Sequence, residues 1–130
     1  MRLYLSRGLI AAVFIINIQC AITFLLRPEM YTTGFELQGE SGGAMVRGMG
    51  LLFLMWNVPY AVALYHPIRY RTALFEAAAM QTIGLVGETL IFSTLSFGHE
   101  LARLSIARFM AFDALGLLAL LAAVRLSRKQ

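Results

Sequence analysis

The stretch FEAAAMQTIGLVGETLIF, residues 75–92, decides how this chain folds. It is apolar enough for hydrocarbon, yet it carries Glu76, Gln81 and Glu88. Hydrocarbon offers no water to polar groups, so each of these must reach an interface or face other protein. Ala77, Gln81, Gly84 and Glu88 follow the i, i+4, i+7, i+11 spacing of one helical face. Small residues on that stripe let a neighbouring helix approach, and Gln81 and Glu88 then reach into a packed interior. Glu76 falls in the expected first turn, where a carboxylate suits the positive end of the helix dipole. The segment reads as one member of a helical bundle in lipid, with a polar seam.

The flanking sequence repeats the pattern. Of 130 residues, 59% are hydrophobic and only 14% charged, a balance that leaves too much apolar surface for water and is ordinary in lipid. One domain is expected, residues 1–130. A membrane span takes about 20 residues. Runs at residues 3–26, 44–65, 73–95 and 101–124 meet that length. Arg27-Pro28 closes the first run, and Ser41-Gly42-Gly43 precedes the second, which His66-Pro67 follows. Thr72 is the expected N-cap of the third, Gly98 lies in its expected C-cap region, and RLSRK ends the fourth. The first run is longer than a signal-peptide core and lacks a small-residue cleavage site, while Gln19 before Cys20 does not suit a lipoprotein site. It is expected to be a true helix.

Charge sets the orientation. Arg2, Arg7, Arg69, Arg71, Arg125, Arg128 and Lys129 collect on one side, and Glu29, Glu36, Glu40 and Glu100 on the other with Arg27 and Arg103. The positive-inside rule then places both termini and the 66–72 loop in the cytoplasm. The fold class expected is all-α, an integral membrane four-helix bundle in a bacterial-type inner membrane. The outward loop, RPEMYTTGFELQGESGG, is either an interfacial connector or a lid over the outer mouth of the bundle.

Depth, counted at about 1.5 Å per residue, sorts the polar residues into layers. Glu88, Arg108 and Gln19 lie roughly 10 Å from the outer ends of their helices, with Arg47 shallower at about 5 Å. Asn57, Gln81 and Asp113 share a level near the midplane, and Asn17 falls between the layers. A charge at a helix centre costs about 2.5–3.5 kcal/mol even on the lenient insertion scale, so pairing inside the bundle is expected. Arg47 and Arg108 can balance Glu88 and Asp113 in a neutral network. That set is either a structural polar core or a site. Pro59 is expected to kink the second helix near Asn57. Trp56, Tyr60 and Tyr65 read as packing and interfacial belt residues, Cys20 as a small buried hydrophobe, and Met45, Met49 and Met55 as core filling.

Several functions are argued against. The cations sit at span ends rather than in a basic stripe, which speaks against nucleic acid. His66 and His99 belong to opposite ends, so they cannot share a metal or haem, and no metal site or cofactor is expected. No phosphate loop, CxxC, HExxH or GxSxG occurs. A soluble-type enzyme is therefore disfavoured, and no catalytic residue is assigned. Small multidrug transporters share the size, but carry their acid in the first helix, where this chain has none.

The four-span plan, the proline in LLRPEMYTTGF and the glycine-flanked Arg47 of GGAMVRGMGLLFLMW resemble the DoxX-like superfamily of small four-helix bacterial membrane proteins. Some members of that group accompany oxidoreductases or quinone-linked systems, so the resemblance implies a membrane-partner role and no catalytic residue. The function expected is binding of a lipid, quinone or other small amphiphile in an outward-opening polar pocket, or service as a partner subunit. Arg47, Glu88, Arg108 and Asp113 would line that pocket, with Gln81 and Asn57 beneath. The alternatives are a membrane enzyme or proton-coupled carrier using Glu88 or Asp113, and a structural subunit of a homo-oligomer or larger complex.

Overall fold

The apolar runs form helices because hydrocarbon leaves each backbone N–H no partner except its own segment's carbonyls. In a computed structural model, which describes residues 1–128, the elements are α1 (Arg2–Leu26), α2 (Glu29–Thr32), α3 (Gly39–Trp56), α4 (Val58–Tyr65), α5 (Arg71–Thr94) and α6 (Glu100–Leu126). Taking α3 and α4 as one bent rod, four helices are long and apolar enough to cross a membrane. Their outer surfaces expose Leu5, Ile15, Ile22, Leu51, Ile83, Leu90, Leu104 and Leu118. Such a surface suits lipid, and the chain is a multi-pass membrane protein of all-helical build. Lys129, counted with the basic side of the sequence, lies outside the described residues.

The bend between α3 and α4 has a local cause. Pro59 has no N–H to give the carbonyl four residues back, and its ring crowds that turn. The α-helical pattern lapses at Asn57, whose side-chain amide donates to Phe53 O (2.6 Å). The expected kink is therefore a break, placed two residues before the proline.

Three expected boundaries move. Ser41-Gly42-Gly43 lies inside α3, which begins at Gly39, where a φ of +69° makes the turn into the helix. A Cβ at Gly42 would stand 2.9 Å from the carbonyl carbon of Leu37, so this glycine lets the incoming loop lie flat on the helix. Tyr70 rather than Thr72 precedes α5, which puts Glu76 beyond the first turn, exposed. Gly98 (φ +104°) shapes the turn before α6 and does not cap α5, which ends at Thr94.

The helices close tightly at one end and splay at the other. Ser6 Oγ bonds Ser127 Oγ (2.7 Å) and donates to Ala123 O (3.2 Å), and Arg7 Nε donates to Leu64 O (3.1 Å). These contacts gather the two termini and the turn after α4 at the closed end. The aliphatic core lies there too, with Ile10, Ala63, Leu74, Ala77, Leu120 and Ala123 fully buried. At the other end α3 leans on α1, whereas only α4 packs against α5. Gly50 permits that lean, since a Cβ on it would stand 2.9 Å from Ala21 O. The C-terminal half of α5 is left with α6 as its main neighbour, and no residue of α5 beyond Gln81 is buried.

The register of α5 on α6 is set by small residues and one cation. Gly116 faces Gln81, Gly84 faces Asp113, and Arg103 donates to Phe92 O (3.3 Å) and Leu95 O (2.9 Å). Arg103 thereby satisfies carbonyls that the last turn of α5 leaves free, while its guanidinium lies 4.2 Å from the centre of the Phe92 ring.

Candidate functional site

Where the helices splay, aromatic residues fill part of the space. Phe24 of α1 is buried and meets Tyr31 (4.2 Å between ring centres), Phe53 (5.5 Å), Phe35 (6.0 Å) and Phe109 (6.1 Å). Tyr31 and Phe35 belong to the 27–38 segment, which thus folds over the bundle as a lid. Two anchors tie the lid down. Ser105 Oγ donates to Gly34 O (2.7 Å), and Glu36 bonds His99 Nδ1 (2.5 Å) while its other oxygen accepts the Ala102 N–H (3.3 Å). The His99 hydrogen bond holds the Glu36 carboxyl below the usual glutamate range. Glu36 itself has a φ of +57°, a strained conformation for a side-chain-bearing residue, which these anchors hold in place.

Beneath the lid lies a cavity of about 310 Å³ between α1 and α6. Ile16, Asn17, Gln19, Cys20 and Thr23 form one wall, and Arg108, Phe109, Phe112 and Asp113 the other. Phe53 closes the back and Tyr31 the top. Ile16, Gln19 and Arg108 are exposed, so the cavity opens sideways between α1 and α6. Arg108 donates to Ser105 Oγ (3.2 Å), the same hydroxyl that holds the lid, which joins pocket and lid through one side chain. Burial pushes the Tyr31 phenol up, so it stays a neutral hydrogen-bonding group.

A second polar cluster sits deeper. Tyr60 OH bonds Gln81 Oε1 (2.5 Å) and reaches Ala77 O (3.1 Å), and Gln81 Nε2 donates to Asp113 Oδ1 (2.8 Å). A small cavity of about 20 Å³ adjoins it, lined by Asn17, Phe53, Trp56, Asn57, Tyr60, Met80, Gln81 and Asp113. Asn17, Phe53 and Asp113 are common to both cavities.

The expected site is thus divided. Asn57, Gln81 and Asp113 do meet at one level, and Arg108 lines the larger pocket with Gln19 above Asp113. The neutral network does not form: among the described residues the only ion pair is Glu36–His99. Arg47 lies exposed on α3 beside Gly43, away from both cavities. Glu88 is half-buried on the α5 face that meets α6, with Oε2 buried and unpartnered. Arg108 donates instead to Ser105 Oγ on its own helix and forms no ion pair with Glu88. Equal depth brought these residues to one level but said nothing about direction around the helix.

Sequence reasoning missed Tyr60, which is 2% exposed and central to the deeper cluster rather than an interfacial belt residue. Its position one turn beyond Asn57 was the available signal. Ser105 and Tyr31 were missed as well, and Cys20 lines the pocket rather than filling core.

Comparisons with protein-family models, curated proteins and solved structures find no match to this chain. The functional reading rests on the site itself.

Proposed function

We propose that this chain is an inner-membrane protein, both termini cytoplasmic, that binds a small amphiphile such as a lipid or quinone in the pocket between α1 and α6. The observation that carries the reading is a cavity of about 310 Å³ that combines the rings of Tyr31, Phe53, Phe109 and Phe112 with the polar side chains of Asn17, Gln19, Thr23, Arg108 and Asp113. Ligand pockets have typical volumes of about 300–1,000 Å³ and this same mixture. The Arg108 guanidinium meets an anionic or carbonyl head group, the rings of Phe53, Phe109 and Phe112 hold its apolar body, and a tail leaves sideways into lipid. Tyr31 covers the head from above.

The orientation follows the basic residues, since Arg2, Arg7, Arg69, Arg71, Arg125 and Arg128 gather at the closed end. The lid and pocket then face outward. Kinship with the DoxX-like superfamily, and a role beside a partner enzyme, belong to the same proposal. The unpartnered Oε2 of Glu88 favours one second reading, a proton-coupled carrier, because an ionisable group inside a membrane span is costly without a role.

Native mass spectrometry of gently released protein tests the binding reading. A defined extra mass on the wild type, lost in Arg108→Leu and in the pocket-filling Phe112→Trp, is the expected result. A bare mass for the wild type in several mild detergents would sink it.

A further inference from the structure

The small inner cavity contains an unusual group. Asn57 is 2% exposed and its Oδ1 is buried with no hydrogen-bond partner. Its amide cannot simply be turned round: Nδ2 donates to Phe53 O at 2.6 Å, and a flip would set two acceptors against each other. A buried acceptor left unmade costs about 1–3 kcal/mol. This one is carried by a residue at the break in a membrane helix, beside the cavity.

The cavity has a second unbalanced feature. Asp113 presents one oxygen to Gln81, and its other approaches Gly84 closely, where any Cβ would collide with it. No cation pairs with it among the described residues. Of the ionisable groups on the packed elements, Glu88 lies on the α5 face that meets α6, and Arg108 of α6 is engaged with Ser105. Asn17, Tyr60 and Gln81 add further oxygen-bearing side chains to the wall.

We infer that this cavity binds a single dehydrated alkali-metal cation, held by Asn57 Oδ1 and the Asp113 carboxylate, with Asn17 and Tyr60 completing its oxygen shell. The volume of about 20 Å³ has room for one water-sized species. A water molecule would satisfy Asn57 but leave the half-buried Asp113 carboxylate without a counter-charge, whereas a monovalent cation answers both. A divalent ion is a poor match, because one carboxylate leaves it a net positive charge in hydrocarbon and magnesium gives up its water reluctantly. Among the described residues no group of three His, Cys, Asp or Glu side chains forms a metal-binding cluster, which also argues against a transition metal. Broken membrane helices recur as cation sites because the break turns polar groups toward the midplane. This goes beyond the amphiphile pocket and stands without it, although Asp113 would let the ion set the charge of that pocket's floor.

Trp56 lines the cavity and is the chain's one tryptophan, so its fluorescence reports on the site. The full chain in nanodiscs is titrated with sodium, potassium or N-methylglucamine chloride at constant ionic strength, and sodium-22 binding is counted in parallel. The expected result is a saturable emission change with sodium or potassium and none with N-methylglucamine, with one sodium bound per chain. Asp113→Asn, which keeps the shape and removes the charge, should weaken apparent affinity about tenfold or more. Asn57→Leu should abolish binding, while Gly48→Ala, where an added Cβ meets nothing within 4 Å, should keep it. Helical circular dichroism verifies that each variant is folded. Identical titrations with all three cations and no stoichiometric sodium would overturn the assignment in favour of a water or a proton. Equal responses in wild type and folded Asp113→Asn would overturn it as well.

Discussion

Gly116→Ala probes the contact that sets α5 against α6. A Cβ on Gly116 would stand 2.6 Å from Gln81 Nε2 and 3.1 Å from Gln81 Cδ, where ordinary contact begins at 3.4 Å. The amide must therefore retreat by about 0.8 Å, which stretches its 2.8 Å bond to Asp113 beyond hydrogen-bonding range. The Tyr60 bond to the same amide is disturbed with it. Overpacking costs about 1–3 kcal/mol and an abandoned buried partner about the same, against a helix-propensity gain of about 0.5–1 kcal/mol. The net expectation is a loss of about 3 kcal/mol, roughly 160-fold in the folded-to-unfolded ratio. Unfolding by SDS titration in mixed micelles, followed by circular dichroism, measures it. The sharper test is a cycle with Gln81→Ala, which removes the side chain that collides. The double variant should be less destabilised than the two single changes added together, by about 1–2 kcal/mol. Additivity within about 0.5 kcal/mol, or a Gly116→Ala protein as stable as wild type, would refute the reasoning.

Three further outcomes follow from other contacts. Gly50→Ala forces α3 away from Ala21 O, Leu25 and Phe24 and should cost about 1–3 kcal/mol, whereas Gly48→Ala, with nothing within 4 Å, should be neutral or slightly stabilising in the same titration; equal effects would contradict the packing described. Arg103→Leu removes the donors to Phe92 O and Leu95 O, so amide exchange should rise over residues 92–98, with a stability loss of about 1 kcal/mol for these partly buried bonds; unchanged exchange would show that Arg103 does not cap α5. For the lid, the depressed Glu36 value means its contribution is complete above the usual 4.5 and is lost as pH falls through the lower folded value. Proteolysis within 33–38 should therefore accelerate on acidification below 4.5 in the wild type, and Glu36→Gln should cleave faster above that pH and lose the acid step; an identical acid profile in the variant would place the switch elsewhere.

Much of this protein is legible from its residues alone. Four apolar runs of bilayer length, ended by Arg27-Pro28, His66-Pro67 and RLSRK, determine four helices, because hydrocarbon leaves the backbone no other way to satisfy itself. Pro59 announces a break in the second, and the i, i+4, i+7 stripe through Gln81 and Gly84 identifies the face of α5 that meets α6. Counting rise also brought Asn57, Gln81 and Asp113 to one level, where they indeed adjoin one cavity. Azimuth was beyond reach. Whether Arg47 meets Glu88 depends on how each helix is rotated about its own axis. That rotation is settled by the sum of many contacts, such as Gly50 against Ala21, Gly84 against Asp113 and Gly116 against Gln81. The tertiary structure alone decided that α3 leans on α1, that the bundle opens at the lid end, and that Tyr60 turns inward to join Gln81. Depth is a property of one helix and can be read along the chain. A site is a property of several, and appears only when their faces are brought together.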